Sequence, residues 1–249
     1  MEAEGFDAGS IGKTASRRDD VRAYLEVHVE QGRRLERAGV PAGIVTGIVG
    51  LSHWRIDVLG EANHAGTTMA EDRRDALMPV AAAALEAQKA MRETEGLVAT
   101  VGEAEVDNGA TNIVPGHARA TLDVRSLDEH LIDKANERII NVARTAAQEN
   151  GCELQIQETK RLHPAPMATG VLDAMRAATR DLEIDVPEMP SMAGHDAMTL
   201  TKAGVECGMV FVRSEAGISH SPQERSSQGD CVAGANLLAT AALRLAEGG

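Results

Sequence analysis

Aromatic side chains are nearly absent from this chain: Trp54, Tyr24, Phe6 and Phe211 make up 2% of it. Any core must therefore rest on Ala, Val, Ile, Leu and Met. Cysteine is equally scarce. Cys152, Cys207 and Cys231 are odd in number and far apart, which matches neither a disulfide framework nor a zinc-finger spacing and suits a reducing compartment. No apolar run approaches the ~18 residues of a membrane span. The opening MEAEGFDAGS lacks the basic start and apolar stretch of a signal peptide, so a soluble, cytoplasmic protein is expected. Basic residues are in deficit, with 25 Lys plus Arg against 38 Asp plus Glu and a formal net charge of -13. That field repels a nucleic-acid backbone and an anionic membrane surface, so neither is an expected partner. Small anionic substrates stay open, because a few local Arg residues can hold them. Gly-x-Gly-x-x-Gly, P-loop, HExxH and CxxC patterns are all missing, which removes the usual dinucleotide, phosphate-loop and zincin readings.

What is present is a chain of 249 residues, 43% of them apolar. That is enough for a buried core and for one or two domains. Residues 24–30 (YLEVHVE) alternate as a strand, with Tyr24, Glu26, His28 and Glu30 on one side. GIVTGIVG is continuously apolar, as in a strand buried on both faces. Residues 53–60 read as a strand and 67–93 as a helix opened by a Thr68/Glu71 capping box. Strands are expected at 97–106 and 117–125, joined by the loop DNGATNIVPG. A helix over 127–150 carries a Ser126/Glu129 capping box, and 152–160 alternates as a strand. The order β-α-β-β-α-β over 53–161 is that of a compact two-layer α+β domain.

After 164–166 the pattern changes to helices at 168–182, 193–204 and 230–248 around the apolar strand CGMVFVR. Helices alternating with apolar strands indicate an α/β layer. The expected fold class is therefore a partial layered α/β domain interrupted by a two-layer α+β domain. Its segments are 1–52 (α/β, first part), 53–163 (insert) and 164–249 (α/β, second part), with linkers near 50–53 and 161–166. The α/β part has only about 50 residues before the insert and about 85 after it, thin for a layered sheet.

Several side chains in these segments carry chemistry. His28 lies between Glu26 and Glu30, where imidazole and carboxylate could bind a divalent metal, the ordinary alternative being a surface histidine. His220 follows an apolar strand in GISHSPQE, where Ser221, Pro222 and Glu224 have the form of a helix start. His195 and Asp196 follow Gly194 in SMAGHDAM, and Asp196 equally suits a helix N-terminus. In ANHAGTT, His64 could stabilise negative charge developing on a carbonyl oxygen. Asn112 in TNIVPG and Arg125 in LDVR add an amide and a guanidinium, the latter shaped for a carboxylate. Each of these is also an unremarkable turn or surface residue.

Taken in order, HVEQG, GIVTGIVG, ANHAGTT with RRDAL, TNIVPG with LDVR, and AGHDAM with GISHSPQE resemble the amidohydrolase and carbamoylase branch of the dinuclear-metal aminopeptidase-like (M20) superfamily. N-carbamoyl-L-amino-acid hydrolases, ureidopropionases and allantoate amidohydrolases belong to that branch. The resemblance runs from about Tyr24 to the C-terminus, and its specificity lies in the order of the motifs.

It implies a catalytic α/β domain holding two divalent metals (zinc or manganese, or cobalt), interrupted by a lid domain that also forms a homodimer. It implies His28 and His220 as metal ligands and His64 as a catalytic residue reaching across the dimer to polarise the carbonyl. Gln31, Asn112, Arg125 and His195 are implied as substrate-binding residues. The implied substrate is a small molecule bearing a carboxylate and a ureido or amide group. Family members carry, ahead of HVEQG, a His and an Asp ligand and then a Glu–Glu pair. No motif before Tyr24 matches these, so the chain is expected to represent the C-terminal three-fifths of a complete enzyme. Met69–Ala70, Arg33 and Met192 also depart from the family's Pro-Met, Pro and Gly. Two readings follow: a metal-dependent C–N hydrolase, or a non-catalytic dimerising or small-molecule-binding remnant.

Overall fold

The computed structural model describes residues 2–247, and residues 14–19 by their backbone alone. After short 3₁₀ segments at Glu2–Glu4 and Ala8–Asp20 come β1 (Tyr24–Val29), α1 (Arg34–Ala38) and β2 (Ala42–Ile48). Next are β3 (Gly50–Leu59), β4 (Asn63–His64), α2 (Leu77–Glu93), β5 (Leu97–Val106), β6 (Ile113–Val114), β7 (His117–Ser126), α3 (Glu129–Glu149) and β8 (Glu153–Leu162). The last elements are β9 (Ala165–Pro166), α4 (Thr169–Asp181), β10 (Glu188–Ser191), α5 (Asp196–Lys202), β11 (Cys207–Val212) and α6 (Gln228–Glu247). The fold is mixed α/β. It divides into two compact units, one made of residues up to Ile48 together with those from Ala165 onward, the other of Val49–Pro164.

The discontinuous unit is built on a sheet of order β1-β11-β2-β10, with β9 also pairing β2. β1 runs parallel to β11, β11 antiparallel to β2, and β2 parallel to β10. Every residue of β11 is buried, as its unbroken apolar run requires. Gly208 on β11 has no room for a Cβ, which would stand 2.8 Å from the Met175 side chain. Its bare backbone lets α4 sit directly on the sheet. α1 starts where the Glu30 carboxylate accepts the N–H groups of Arg34 (2.7 Å) and Leu35 (2.9 Å), meeting donors that have no partner inside a helix. Gly39, at φ 69°, ends it in the left-handed region.

The continuous unit is an antiparallel sheet, β5-β7-β3-β8, with α2 and α3 packed on it. Its core is aliphatic: Ile56, Val58, Leu122, Ile132 and Ile139 are fully or almost fully enclosed. Burying each such Val, Leu or Ile side chain contributes roughly 1.5–3 kcal/mol. Ala83, Ala87 and Ala90 on α2 lie in the same cluster as Ala135 and Ala143 on α3, so small side chains let the helices approach without aromatic filling.

Several local expectations change. α2 begins at Leu77 and not at Thr68. No capping box forms, because Thr68 Oγ1 donates to the His64 carbonyl (2.7 Å) while Asp75 Oδ1 accepts the Leu77 N–H (3.0 Å). α3 is capped by Asp128, whose side chain accepts from His130 N–H, and Ser126 is the last residue of β7. Ser221 and Glu224 start no helix; the next one begins at Gln228. The segments expected as linkers are largely strand, since β3 starts at Gly50 and β8 runs to Leu162. A Cβ on Gly50 would lie 2.7 Å from the Leu162 carbonyl oxygen and 2.8 Å from Pro164 N, so this close approach needs glycine.

Candidate functional site

β1 carries its polar residues inward. Val27 is 43% exposed, whereas Glu26 and His28 turn toward the start of α5. The His28 and His195 rings meet edge to face with centroids 4.5 Å apart, and His195 makes a similar contact with Phe211 at 5.7 Å. His28 is half-buried against this ring. One ligand atom each from Glu26, His28 and His195 falls within 4.8 Å of the others, so the three could hold a metal ion.

Hydrogen bonds bear on whether they fit one. His28 Nδ1 lies 2.8 Å from the Val29 carbonyl oxygen. A carbonyl only accepts, so Nδ1 carries the proton and Nε2 keeps its lone pair. Glu26 Oε2 accepts the Ala197 N–H at the start of α5 (3.0 Å), leaving Oε1 3.6 Å from His195 Nδ1. That distance is too long for a hydrogen bond. Burial, aided by the neighbouring His28, pushes the His195 imidazole down to about 4. A neutral imidazole and a carboxylate then face one another with little direct bonding. Two imidazoles and one carboxylate, held this way, fit a divalent cation such as zinc or manganese. Glu30 is engaged in capping α1, and Asp196 is an exposed residue of the first turn of α5, the helix-start role open to it from sequence.

Gln31 and His220 form a second focus in the same unit. Gln31 Nε2 donates to Ser219 Oγ (2.9 Å) and lies 3.5 Å from His220 Nε2, while Gln31 N–H donates to Ser214 Oγ (3.1 Å). Gln31, Ala216 and His220 all have positive φ (57°, 54° and 57°). Left-handed backbone at non-glycine residues costs energy and persists where surrounding contacts hold it, commonly at functional sites. The Glu224 carboxylate accepts the His220 N–H (2.8 Å) and Ser221 Oγ accepts the Gln223 N–H (3.3 Å). This reproduces the chemistry of a capping box on a turn that no helix follows. Beside Gln31 is a cavity of about 280 Å³, with Arg34, Met189, Met192 and Phe211 among its walls.

In the continuous unit, β4 pairs with β6, placing His64 opposite Ile113. The Gly66 N–H donates to His64 Nδ1 (3.0 Å). The exposed Nε2 therefore bears the proton as an outward donor. Asn112 is tied to the same loop by its carbonyl, which accepts the Ala65 N–H (2.9 Å). Arg125 is elsewhere. Its guanidinium grips Asp123 through two bonds of 2.8 Å, and His53 Nε2 lies 2.9 Å from the same carboxylate. Burial alone would raise the Asp123 carboxyl, but the Arg125 fork and His53 outweigh it and hold it below the usual carboxylate range. Arg125 is eight residues along β7 from His117, about 27 Å at roughly 3.4 Å per residue. The His64–Asn112 pair lies past the His117 end: the β3–β7 ladder stops at Leu59↔His117, and beyond it a separate two-stranded sheet pairs Asn63 with Val114.

Over residues 2–244 the chain matches the family described as Peptidase family M20/M25/M40. The chain belongs to that family. Its relatives place this M20 chain in the hydantoinase/carbamoylase branch. It is similar to the N-carbamoyl-L-amino acid amidohydrolase of Geobacillus stearothermophilus, 36% identical over 248 residues that cover 100% of this chain and 60% of that protein. It is also similar to the allantoate amidohydrolase of Escherichia coli (strain K12), 32% identical over 247 residues covering 99% of this chain and 59% of that protein. The crystal structure of an amidase of the hydantoinase/carbamoylase family from Burkholderia multivorans superposes with a TM-score of 0.84 at 29% identity, covering 89% of this chain and 54% of that one. The M20 chain thus spans about three-fifths of the length of the curated relatives it matches.

Sequence reasoning did not single out Ser214 and Ser219, which hold Gln31, nor Arg34 and Met189, which line the cavity beside it, and it missed the hold of Asp123 on Arg125. The alternation of LDVR carried that last signal, since Asp123 and Arg125 must share one face of a strand.

Proposed function

We propose that this chain belongs to a metal-dependent hydrolase of linear amide or ureido C–N bonds, of the N-carbamoyl-L-amino-acid hydrolase type. The observation that carries the reading is the convergence of Glu26, His28 and His195 in a chain of the carbamoylase branch. With an N-carbamoyl amino acid, water adds to the ureido carbonyl and the C–N bonds break, giving the amino acid, carbon dioxide and ammonia. A divalent ion, when bound, supplies Lewis-acid polarisation of the carbonyl and lowers the pKa of water.

The chain's own residues do the rest in this reading. His28 and His220 serve as ligands, with Glu26 beside His28. His64 donates its Nε2–H to the carbonyl oxygen as negative charge develops. Asn112 and Arg125 recognise the substrate, the guanidinium taking its carboxylate, and Gln31 and His195 border the pocket. His64 and Arg125 lie too far apart within one unit to touch the same small molecule, which supports the dimeric reading in which His64 comes from a second copy.

Metal analysis coupled to an ammonia-release assay on N-carbamoyl-L-amino acids tests this, with allantoate and ureidopropionate as competing substrates. Metal-dependent turnover of the first class is expected. Preferential turnover of allantoate or ureidopropionate would reassign the substrate. Because the chain spans about three-fifths of its relatives, a second reading is a non-catalytic dimerising or binding module. Dimers without metal uptake or turnover would favour it.

A further inference from the structure

His117 stands where three segments of the continuous unit meet. It opens β7, pairs with Leu59 at the end of β3, and its carbonyl accepts the N–H of Asp107, the first residue after β5 (3.1 Å). Its side chain lies on the sheet face away from α2 and α3, because the alternate residues Ala118 and Ala120 belong to the core. There both ring nitrogens face carboxylates. Nε2 is 3.0 Å from Asp57 Oδ1 on β3, and Nδ1 is 2.7 Å from Asp107 Oδ2. Arg119, two residues along β7, donates to Asp107 Oδ1 (2.6 Å) and lies 3.8 Å from Glu105 on β5. Glu153 on β8, in register with Leu59, adds a further carboxylate to this end of the sheet.

Asp107 is the root of the loop that carries Asn112. The chain turns at Asn108 with φ 53°, passes Asn112, pairs through β6 with β4, and returns at Gly116, whose carbonyl accepts the Gly60 N–H (2.8 Å). Residues 108–113 are all exposed. A segment with so little burial is held by its ends and by single hydrogen bonds, here the Ala65 N–H bond to Asn112 O (2.9 Å). The Arg119 bond, with His117 behind it, keeps the Asp107 carboxyl below its ordinary range, so Asp107 presents acceptors to both.

We propose that His117 is a positioning residue for the His64–Asn112 pair: its ring clamps the root of the Asn112 loop to β3, and the clamp closes on both sides only while both ring nitrogens carry protons. The proposal rests on the hydrolase reading above, which gives that pair its role. A neutral imidazole has one N–H. Whichever carboxylate keeps it, the other faces a ring lone pair at 2.7 or 3.0 Å, and that side opens. Arg119 still holds Asp107 Oδ1, so the loop loosens without melting, and Asn112 moves against the Ala65 backbone next to His64.

The test is amide hydrogen exchange of the chain from about pH 5 to 8, the span in which histidine changes charge. Protection is taken relative to each amide's intrinsic rate, with the His117 ring proton followed by NMR. Protection of the Ala65 N–H should fall roughly 10-fold in step with loss of that proton, as for one charge-assisted bond, while the Leu122 N–H in mid-β7 stays unchanged. His117→Leu should show the lower Ala65 protection at every pH. His117→Arg, which keeps a cation between the two carboxylates, should show the higher protection without the pH dependence. In the active protein His117→Leu should lower kcat with KM little changed, and His117→Arg should restore it. Should His117→Leu fail to fold, the unaltered chain and His117→Arg still decide. Ala65 protection that ignores the ring proton, a folded His117→Leu as protected as the unaltered chain, or a loosened loop with unchanged kcat would overturn the proposal. The exchange pattern as expected with no turnover by any form would leave the clamp standing and overturn the hydrolase reading alone.

Discussion

Gln31 and His220, 189 residues apart, each hold a left-handed backbone and meet side chain to side chain at 3.5 Å. Neither conformation is imposed by its own residue type. Ser214 and Ser219 anchor Gln31, and Glu224 anchors the His220 backbone. The strain is therefore maintained by the loop that docks against residues 31–36, and single substitutions can probe it.

Ala216 and Gly217 lie side by side in this loop with positive φ (54° and 63°), and their substitutions should act in opposite directions. Ala216→Gly removes the left-handed penalty and leaves its N–H bond to Glu36 intact. It should stabilise the chain by about 0.5–1 kcal/mol. Gly217→Ala adds that penalty and drives a Cβ to within 2.9 Å of the Gly32 carbonyl carbon, so it should cost about 1–3 kcal/mol. Urea unfolding midpoints measure both.

Asp123 supplies a pH-dependent contribution. Its folded pKa lies below the ordinary 3.8, so the unfolded chain takes up this proton first as pH falls. The stabilisation is complete well above 3.8 and disappears as pH drops through the lower, folded value. Asp123→Asn should be less stable than the unaltered chain near pH 6, and the gap should narrow as pH falls below the ordinary 3.8. A gap independent of pH in urea titrations would show that the carboxylate charge contributes nothing.

His64 presents a fixed donor to solvent, so its removal should affect chemistry and spare folding. In the active protein, His64→Ala is expected to lower kcat roughly 10²–10³-fold with the circular dichroism melt unchanged. Equal kcat would remove His64 from the carbonyl.

Arg125→Ala should raise KM for N-carbamoyl amino acids by about 10-fold or more, as expected for loss of a charge-assisted fork worth ~1.5–3 kcal/mol. The corresponding carboxamide substrates should be affected far less. Paired KM measurements on acid and amide separate recognition from a general loss of structure, which matters because the same guanidinium braces Asp123.

Much of this was legible in the sequence because period-2 and period-3.6 patterns are strong where one face is buried. The β3–α2–β5–β7–α3–β8 order follows from them. Helix starts were not legible, because Thr68–Glu71 and Ser126–Glu129 have the right spacing but other partners. Thr68 bonds back to His64, and Asp75 and Asp128 stand closer to the true helix starts. His28 was read as a candidate from its acidic neighbours. Ser191 carried no signal, since its contact with His195 is made to a ring four residues away.

One ten-residue strand, β7, separates the Arg125 guanidinium from the His64–Asn112 loop by far more than the length of an amino acid. If all three act on one molecule, two copies of the chain must each contribute an end. Chains lacking His64 and chains lacking Arg125, each impaired alone, should then recover activity when their subunits are mixed.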